Sequence, residues 1–361
     1  MNDEIKTIEF LKTGLSLQTH IGCPIKCSYC VVTGFYDDMT KTQQLIDTDT
    51  LINNLMKHEF FNDDVILMVN NKTEGFQPKV EKYTFDILDK LKNYGIKNPK
   101  VLITKLPIPL RYTESLTDNN VFVFTTYSGM PSSIEPTSNP TNLSNIINNI
   151  KILRQHSDAR HVHYWRPIVR NINSSSETIN NILENVNGVF DCSVVSGIRL
   201  TPVIKQHLES RGADFYDWNG DINHKFLPED IYSQIIQSRN KFCPEYKLFT
   251  KTSCSISHLL NNFDANLNFV KRNYSCSVQC PNGPTCKSYQ PQYTYKERKI
   301  LKKFDLLDYA NFTDGVLYIN KPISQELKAF LTQTIKLRII VPETLKSYTE
   351  GIFNARNGRS L

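Results

Sequence analysis

Three closely spaced cysteines near the N-terminus are the residues best suited to chemistry. Cys23, Cys27 and Cys30 have the spacing C-x3-C-x2-C and follow residues 14–20, an alternating segment that predicts a strand. Three thiolates on one short loop can bind three irons of a cubane [4Fe–4S] cluster and leave the fourth iron open for another ligand. A disulfide would leave one thiol over, and zinc would need a fourth ligand such as His20. The spacing therefore favours an iron–sulfur site.

A second group of cysteines lies beyond residue 250. Cys276, Cys280 and Cys286 have the spacing C-x3-C-x5-C, and Cys254 lies upstream of them. Four thiolates can bind all four irons of a second, auxiliary [4Fe–4S] cluster. Zinc held by four thiolates is the alternative, and a region without metal is a third interpretation.

The remaining two of the nine cysteines and two tyrosines have weaker signals. Cys192 and Cys243 have no partners at ligand spacing, so we expect buried apolar side chains. Hydrogen-atom donation is the alternative for Cys192. Tyr127 and Tyr164 lie near the ends of predicted strands, where packing is expected and contact with a radical or a substrate is the alternative.

Alternating strand and helix patterns surround these residues. Helical periodicity is expected over residues 80–91, with Gly95 as a C-cap, and over 143–153, 179–186 and 228–240. Strands after the first are predicted at 65–70, 101–104, 121–125, 161–169 and 194–201. Repeated units of this kind imply an α/β fold with a parallel sheet, and we predict a partial (β/α)6-type TIM barrel. No Gly-x-Gly-x-x-Gly follows a predicted strand, so a Rossmann dinucleotide site has no support. Active sites of parallel barrels lie at the carboxyl ends of the strands, where the first cysteine loop falls.

A break in this regularity near residue 243 predicts three regions. Residues 1–242 form the barrel, 243–290 a Cys-rich extension, and 291–361 a small basic α+β tail. In the tail, the pattern predicts a strand, a helix and a strand at 316–319, 325–332 and 337–341.

The net charge of +6 is concentrated in this tail. Residues 291–361 hold 12 Lys and Arg against 7 Asp and Glu, most densely over 296–303. This run is compatible with a nucleic-acid or acidic-partner surface, but an amphipathic helix with solvated lysines is the favoured interpretation. The apolar runs are too short to cross a membrane, and the acidic start does not resemble a signal peptide. We therefore expect a cytoplasmic protein.

The cysteine motif resembles that of the radical S-adenosylmethionine (SAM) superfamily, in which an aromatic residue, here Tyr29, commonly precedes the last cysteine. Further segments resemble spore photoproduct lyase-like members of that superfamily in the same order, namely residues 73–78, 103–105, 135–136 and 166–169. The resemblance implies that Cys23, Cys27 and Cys30 ligate a [4Fe–4S] cluster whose open iron binds SAM. Reductive cleavage of SAM would then give a 5′-deoxyadenosyl radical that abstracts hydrogen from a substrate.

The resemblance also implies contacts to SAM at the strand ends and a redox partner. Glu74 would accept a hydrogen bond from the amino group or the ribose, and Lys105 or Arg166 would pair with the carboxylate. Ser128 would contact the ribose or the carboxylate. Ordinary polar surface or inter-strand roles are the alternative for each of these residues. A one-electron donor such as flavodoxin or ferredoxin is implied as a partner.

Three functions remain open at this point. The leading one is hydrogen abstraction that modifies a peptide or small molecule, because many such enzymes carry a second cysteine cluster. The alternative is a lyase that repairs or modifies nucleic acid, favoured by the lyase resemblance and the basic tail. The non-enzymatic alternative is a zinc-stabilised nucleic-acid-binding protein.

Overall fold

The computed structural model describes residues 6–30, 40–117, 120–222, 225–270, 280–342 and 344–345. Its helices are α1 (Thr48–Lys57), α2 (Glu81–Asn93), α3 (Pro140–Leu153), α4 (Ser176–Val186), α5 (Pro202–Glu209), α6 (Glu229–Phe242), α7 (Thr252–Leu259), α8 (Gly283–Lys287), α9 (Tyr295–Lys303) and α10 (Gln325–Ile335). Its strands are β1 (Ile8–Phe10), β2 (Leu15–Leu17), β3 (His20–Ile21), β4 (Gln43–Gln44), β5 (Leu67–Val69), β6 (Lys100–Thr104), β7 (Val121–Thr126), β8 (Arg160–Trp165), β9 (Cys192–Val195), β10 (Ile198–Arg199), β11 (Lys225–Phe226), β12 (Leu248–Phe249), β13 (Ala310–Thr313), β14 (Val316–Ile319), β15 (Ile323–Ser324), β16 (Arg338–Ile340) and β17 (Thr344–Leu345). Within these ranges, none of the helices has the length and apolar character that a membrane crossing requires.

One eight-stranded sheet, in the order β1-β2-β5-β6-β7-β8-β9-β12, organises the chain. All neighbours from β2 to β12 pair in parallel, and β1 alone pairs antiparallel, with β2. The predicted α/β fold with a parallel sheet is therefore confirmed, and its open order is consistent with a partial barrel. The predicted boundary at residue 242 falls between α6 and β12, and β12 belongs to this main sheet.

The two faces of the sheet carry different cores, because side chains alternate along each strand. Val123 of β7 packs with α1 and α2. Trp165 of β8 packs with α3, α4 and α6. The opposite face presents Phe124 and Tyr164, which pack with Ile256 of α7. The chain thus covers the sheet on both faces, as a parallel sheet requires.

Helix bounds follow from local capping. The Asp47 side chain accepts a hydrogen bond from the Thr50 N–H at the start of α1, and the Ser175 hydroxyl accepts one from the Thr178 N–H at the start of α4. Just beyond the end of α2, Gly95 has φ +69°, a conformation that glycine adopts without steric cost. The C-cap itself is Tyr94, so Gly95 lies one residue beyond the predicted C-cap position.

The predicted strands at 161–169 and 194–201 are too long. Strand β8 ends at Trp165, ahead of Pro167, which has no N–H to donate to a ladder. Strand β9 ends at Val195, and β10 turns away to pair antiparallel with β11. A Cβ on Gly197 would lie 1.7 Å from the Phe226 carbonyl oxygen, so β11 crosses the chain at the one residue without a side chain.

The C-terminal region confirms the predicted strand–helix–strand order as β14, α10 and β16, with β14 and β16 parallel. The basic run forms α9, whose Leu301 is buried, as the amphipathic interpretation predicts. This region shares a core with the start of the chain, because the Phe330 ring lies 5.8 Å from that of Phe10. Gln333 Nε2 donates to the Thr13 carbonyl oxygen at 2.7 Å.

Candidate functional site

A cavity of about 370 Å³ opens at the carboxyl ends of the parallel strands. It is lined by the cysteine loop, by residues that follow or end β5, β6, β7, β8 and β9, and by Lys225 of β11. This is the edge where ligands bind in parallel α/β sheets.

The loop with Cys23, Cys27 and Cys30 forms one wall of the cavity. Gly22 begins this loop with φ +88°, and a Cβ there would lie 2.0 Å from the Lys41 carbonyl oxygen. Both the N–H and the hydroxyl of Ser28 donate to the Ile134 carbonyl oxygen at 3.0 Å. Contacts at Gly22 and at Ser28 therefore hold the loop in place, and all three cysteines line the same cavity.

The three thiols also interact electrostatically. Burial, with a smaller contribution from neighbouring cysteines, raises the pKa of Cys23 to about 11 and that of Cys27 to about 12. Within the described ranges, no three metal-binding side chains converge on a point suited to one ion. In a cubane cluster each thiolate binds a different iron, so such convergence is not required. The donor set thus fits an iron–sulfur cluster, whose binding would displace the thiol protons.

Beneath this loop, Tyr29, Lys105 and Glu135 form a connected polar group. Lys105 Nζ lies 2.8 Å from Glu135 Oε2 and 2.9 Å from the Tyr29 hydroxyl, which itself donates to Glu135 Oε2. Burial disfavours the charged form of each group, and so raises the pKa of Glu135 and lowers that of Lys105. The group connects the cysteine loop to the end of β6 and to the segment between β7 and α3.

Glu74 lines the cavity, as its predicted contact with SAM requires. Its Oε1 accepts from the Thr104 hydroxyl at 2.6 Å and the Phe76 N–H at 3.1 Å, and Oε2 accepts from the Lys105 N–H at 2.9 Å. Burial raises the pKa of Glu74, while these hydrogen bonds lower it. Glu74 therefore joins the loop after β5 to the end of β6, besides facing the cavity.

Arg166 also lines the cavity, at the end of β8. Its guanidinium carbon lies 3.5 Å from the centre of the Tyr164 ring, a cation–π contact. Burial lowers the pKa of Arg166, and Tyr164 and Cys30 oppose this effect. The Tyr164 hydroxyl is 2.7 Å from the Thr252 hydroxyl. This hydrogen bond fixes the Tyr164 ring against which the Arg166 guanidinium packs.

Three other predicted site residues lie outside the cavity lining. Ser128 is fully buried, and its hydroxyl has no hydrogen-bond partner among the described residues. Tyr127 packs in the core beneath α3 and α4, and its carbonyl oxygen is 2.7 Å from His163 Nε2. Cys192 is fully buried in the sheet, which raises its pKa. The roles predicted for these three side chains stay predictions.

The second cysteine region is described in part. Cys254 of α7 and Cys280 pack against the same core on the sheet face opposite α1 to α4. The Asn282 side-chain amide donates to the Cys286 sulfur at 3.4 Å. Cys276 lies outside the described residues, so the auxiliary cluster and its zinc alternative stay predictions.

Sequence reasoning gave no role to five polar residues of the site. Glu135 was noted only as part of residues 135–136, one of the segments that resemble spore photoproduct lyase-like proteins, although its carboxylate contacts both Lys105 and Tyr29. Lys26 lies within the cysteine motif and Lys72 directly precedes the segment 73–78, but neither was given a role. Arg199 and Lys225 pair across an antiparallel ribbon although they lie on two sides of α5, so only the topology brings these two cations to the cavity.

The fold resembles that of spore photoproduct lyase. A single-residue variant of that enzyme superposes with a TM-score of 0.51 at 11% identity over 68% of this chain and 79% of the lyase. The lyase in complex with dinucleoside spore photoproduct gives a TM-score of 0.50 at 10% identity, over 67% and 79% of the two chains. A radical SAM methyltransferase from Sphaerobacter thermophilus gives 0.46 at 12% identity, over 69% and 70%. No protein-family model matches the chain. No curated protein matches its sequence.

The chain shares the spore photoproduct lyase fold. This agrees with the fold that the resemblance of the ordered sequence segments implies.

Proposed function

We propose that this protein is a radical SAM enzyme that abstracts hydrogen from its substrate. The observation that carries the proposal is the position of Cys23, Cys27 and Cys30, which share one cavity at the carboxyl ends of the parallel strands. The shared fold with spore photoproduct lyase supports the same conclusion. A cluster held by these thiolates would supply the electron that cleaves SAM to methionine and a 5′-deoxyadenosyl radical.

The chain's own residues would bind and orient SAM beside the thiolates. Arg166 and Lys105, which line the cavity, would pair with the SAM carboxylate, and Glu74, which also lines it, would accept a hydrogen bond from the SAM amino group. Glu135 would act as a positioning residue, because it holds both Lys105 and Tyr29. The enclosing loops would exclude water and so protect a reactive radical.

Anaerobic reconstitution with iron and sulfide tests the proposal. We expect SAM binding, and 5′-deoxyadenosine formation when a strong reductant is added. A variant with Cys23, Cys27 and Cys30 all replaced by Ala should lose both the product and about four irons. Cys243→Ala is the matched control, because Cys243 is buried in another core. Wild-type protein that binds zinc without iron would contradict the proposal and favour the non-enzymatic alternative.

The auxiliary cluster can be tested with the same protein. Replacing Cys276, Cys280 and Cys286 with Ala should remove about four further irons and spare the cleavage of SAM. If four thiolates instead bind a zinc ion, the wild type should contain zinc and the variant should lose it. An unchanged metal content would contradict both interpretations.

Nucleic-acid repair or modification is the second candidate function. The observation that favours it is the shared fold with a lyase that is described in complex with dinucleoside spore photoproduct. A salt-sensitive band shift with oligonucleotides would support it, because phosphate contacts make affinity fall steeply with salt. Deuterium transfer from labelled peptides or small molecules into 5′-deoxyadenosine would favour the leading function instead.

A further inference from the structure

Asn71, in the loop after β5, lines the cavity and contacts two buried polar side chains of the neighbouring strand. These are Ser16 of β2 and Gln18 directly after it, which lie on one face of the sheet because they are two residues apart. The Ser16 hydroxyl donates to Asn71 Oδ1 at 2.7 Å. Gln18 Nε2 donates to the same oxygen and to the Ser16 hydroxyl, the latter at 2.8 Å. We call these three side chains the Asn71 network.

One backbone group fixes the orientation of both amides in the Asn71 network. The Lys72 N–H can only donate, and it donates to Gln18 Oε1 at 3.2 Å. Gln18 Nε2 therefore points the other way, and Asn71 presents its oxygen to this nitrogen. Asn71 Nδ2 has no hydrogen-bond partner among the described residues, and it is not one of the buried polar atoms. Its two N–H groups are thus open to the cavity that Asn71 lines.

The other donors of the Asn71 network are already used. The Ser16 hydroxyl donates once, and both hydrogens of Gln18 Nε2 have acceptors. The amide oxygens also accept, Gln18 Oε1 from the Lys72 N–H and Asn71 Oδ1 from two side chains. The network therefore offers a ligand two uncharged donors and no amide oxygen that is still without a donor.

A ligand that fits this network presents an acceptor with no donor beside it. In a trans peptide group the carbonyl and the N–H point in opposite directions, so the oxygen can meet Nδ2 while the N–H points away. In thymine, uracil and guanine a ring N–H lies next to the carbonyl and would need an acceptor of its own. A carboxylate gains less here, because the adjacent cation, Lys72, already contacts the buried Glu9 carboxylate.

We propose that Asn71 donates hydrogen bonds to a peptide carbonyl oxygen of the substrate, so that the substrate is a peptide. The inference rests on the proposed function, because Asn71 shares its cavity with the three cysteines and leaves SAM to Glu74, Lys105 and Arg166. Asn71 would determine specificity, since a site built to hydrogen-bond a substrate group rejects analogues that leave its donors unpaired.

Ligand-observed NMR with the peptide analogue N-acetylalanine methylamide tests the proposal, on iron-free protein and on reconstituted protein with SAM. Asn71→Ser removes both N–H donors without adding charge and should weaken binding about fivefold. Asn71→Asp places a carboxylate oxygen against the carbonyl and should weaken it about tenfold or more. Asn187→Asp is the matched control, because Asn187 is exposed at the end of α4. Acetate, thymidine and cytidine are the comparison ligands, and each should bind more weakly than the analogue.

The SAM affinity of both reconstituted Asn71 variants should equal that of the wild type, which also shows that the site remains folded. Four results would overturn the inference: no binding of the analogue by the wild type, equal binding by the Asn71 variants, tighter binding of acetate or a nucleoside, or an equal loss of SAM affinity. Each of them leaves the radical SAM proposal standing. Wild-type protein that binds no iron and does not cleave SAM would instead remove the proposed function, whatever the analogue does.

Discussion

Lys105, directly after β6, and Glu135, in the segment between β7 and α3, form an ion pair with Nζ 2.8 Å from Oε2 and the Glu135 side chain 1% exposed. The Tyr29 hydroxyl contacts both groups. A cysteine-loop residue is thus attached to the sheet through charges that water hardly reaches. Removing one partner of such a pair leaves the other charge buried and uncompensated.

Glu135→Ala should therefore lower the free energy of unfolding by about 3 kcal/mol or more, measured by urea denaturation. A double-mutant cycle with Lys105→Met isolates the coupling, because the double variant leaves no uncompensated charge. The same cycle on the exposed pair Lys205 and Glu209 is the control, with an expected coupling below about 0.5 kcal/mol. Similar couplings for the two pairs would contradict this account.

Gly197→Ala should disrupt the β10–β11 ribbon, because the new methyl group would meet the Phe226 carbonyl oxygen. We expect a loss of stability of about 2 kcal/mol or more by thermal or urea unfolding. Gly283→Ala is the control, since nothing lies within 4 Å of a Cβ there. Equal losses of unfolding free energy in the two variants would contradict a close contact between Gly197 and Phe226.

Acid should destabilise the protein through its buried imidazoles. His163 lies between the Ser193 hydroxyl at 2.8 Å and the Tyr127 carbonyl oxygen at 2.7 Å, and burial lowers its pKa to about 4. The unfolded chain binds this proton near pH 6.5 and the folded protein only near pH 4, so stability falls as the pH drops through that window. The contribution is up to about 3 kcal/mol.

His163→Gln should make the free energy of unfolding less dependent on pH between about 6.5 and 4, although it lowers stability at neutral pH. Urea unfolding at several pH values measures both effects. His156→Gln serves as the comparison, because that side chain is exposed. An unchanged slope in His163→Gln would assign the acid sensitivity to other groups.

Phe330 should be a stability hot spot of the shared core. Its ring lies 5.8 Å from Phe10, 5.2 Å from Phe60 and 5.4 Å from Phe304. Phe330→Ala should cost about 3 to 5 kcal/mol of unfolding free energy, because the neighbours cannot fill the space. Tyr318→Ala, at a side chain 43% exposed, should cost far less. A small loss at Phe330 would mean that α10 folds independently of the sheet.

The sequence was most informative where local patterns determine structure. The cysteine spacing and the glycine that follows α2 are local signals; the three cysteines line one cavity, and Gly95 has a positive φ just beyond the helix end. Arg199 and Lys225 were not predictable as partners, because their pairing depends on the missing side chain of Gly197 and on β12 taking the place beside β9. Glu135 was missed for a related reason, since its partners Lys105 and Tyr29 lie in segments far from it in sequence.

The hydrogen bond from Gln333 to the Thr13 carbonyl oxygen spans a sequence separation of 320 residues. On a ribosome that adds about 5 to 20 residues per second, the first strand would wait roughly 16 to 64 s for the helix that covers it. During that interval Phe10 lacks its partner Phe330 and offers an apolar surface to chaperones or to other nascent chains. Synthesis speed therefore becomes a determinant of how much of this protein reaches its native state.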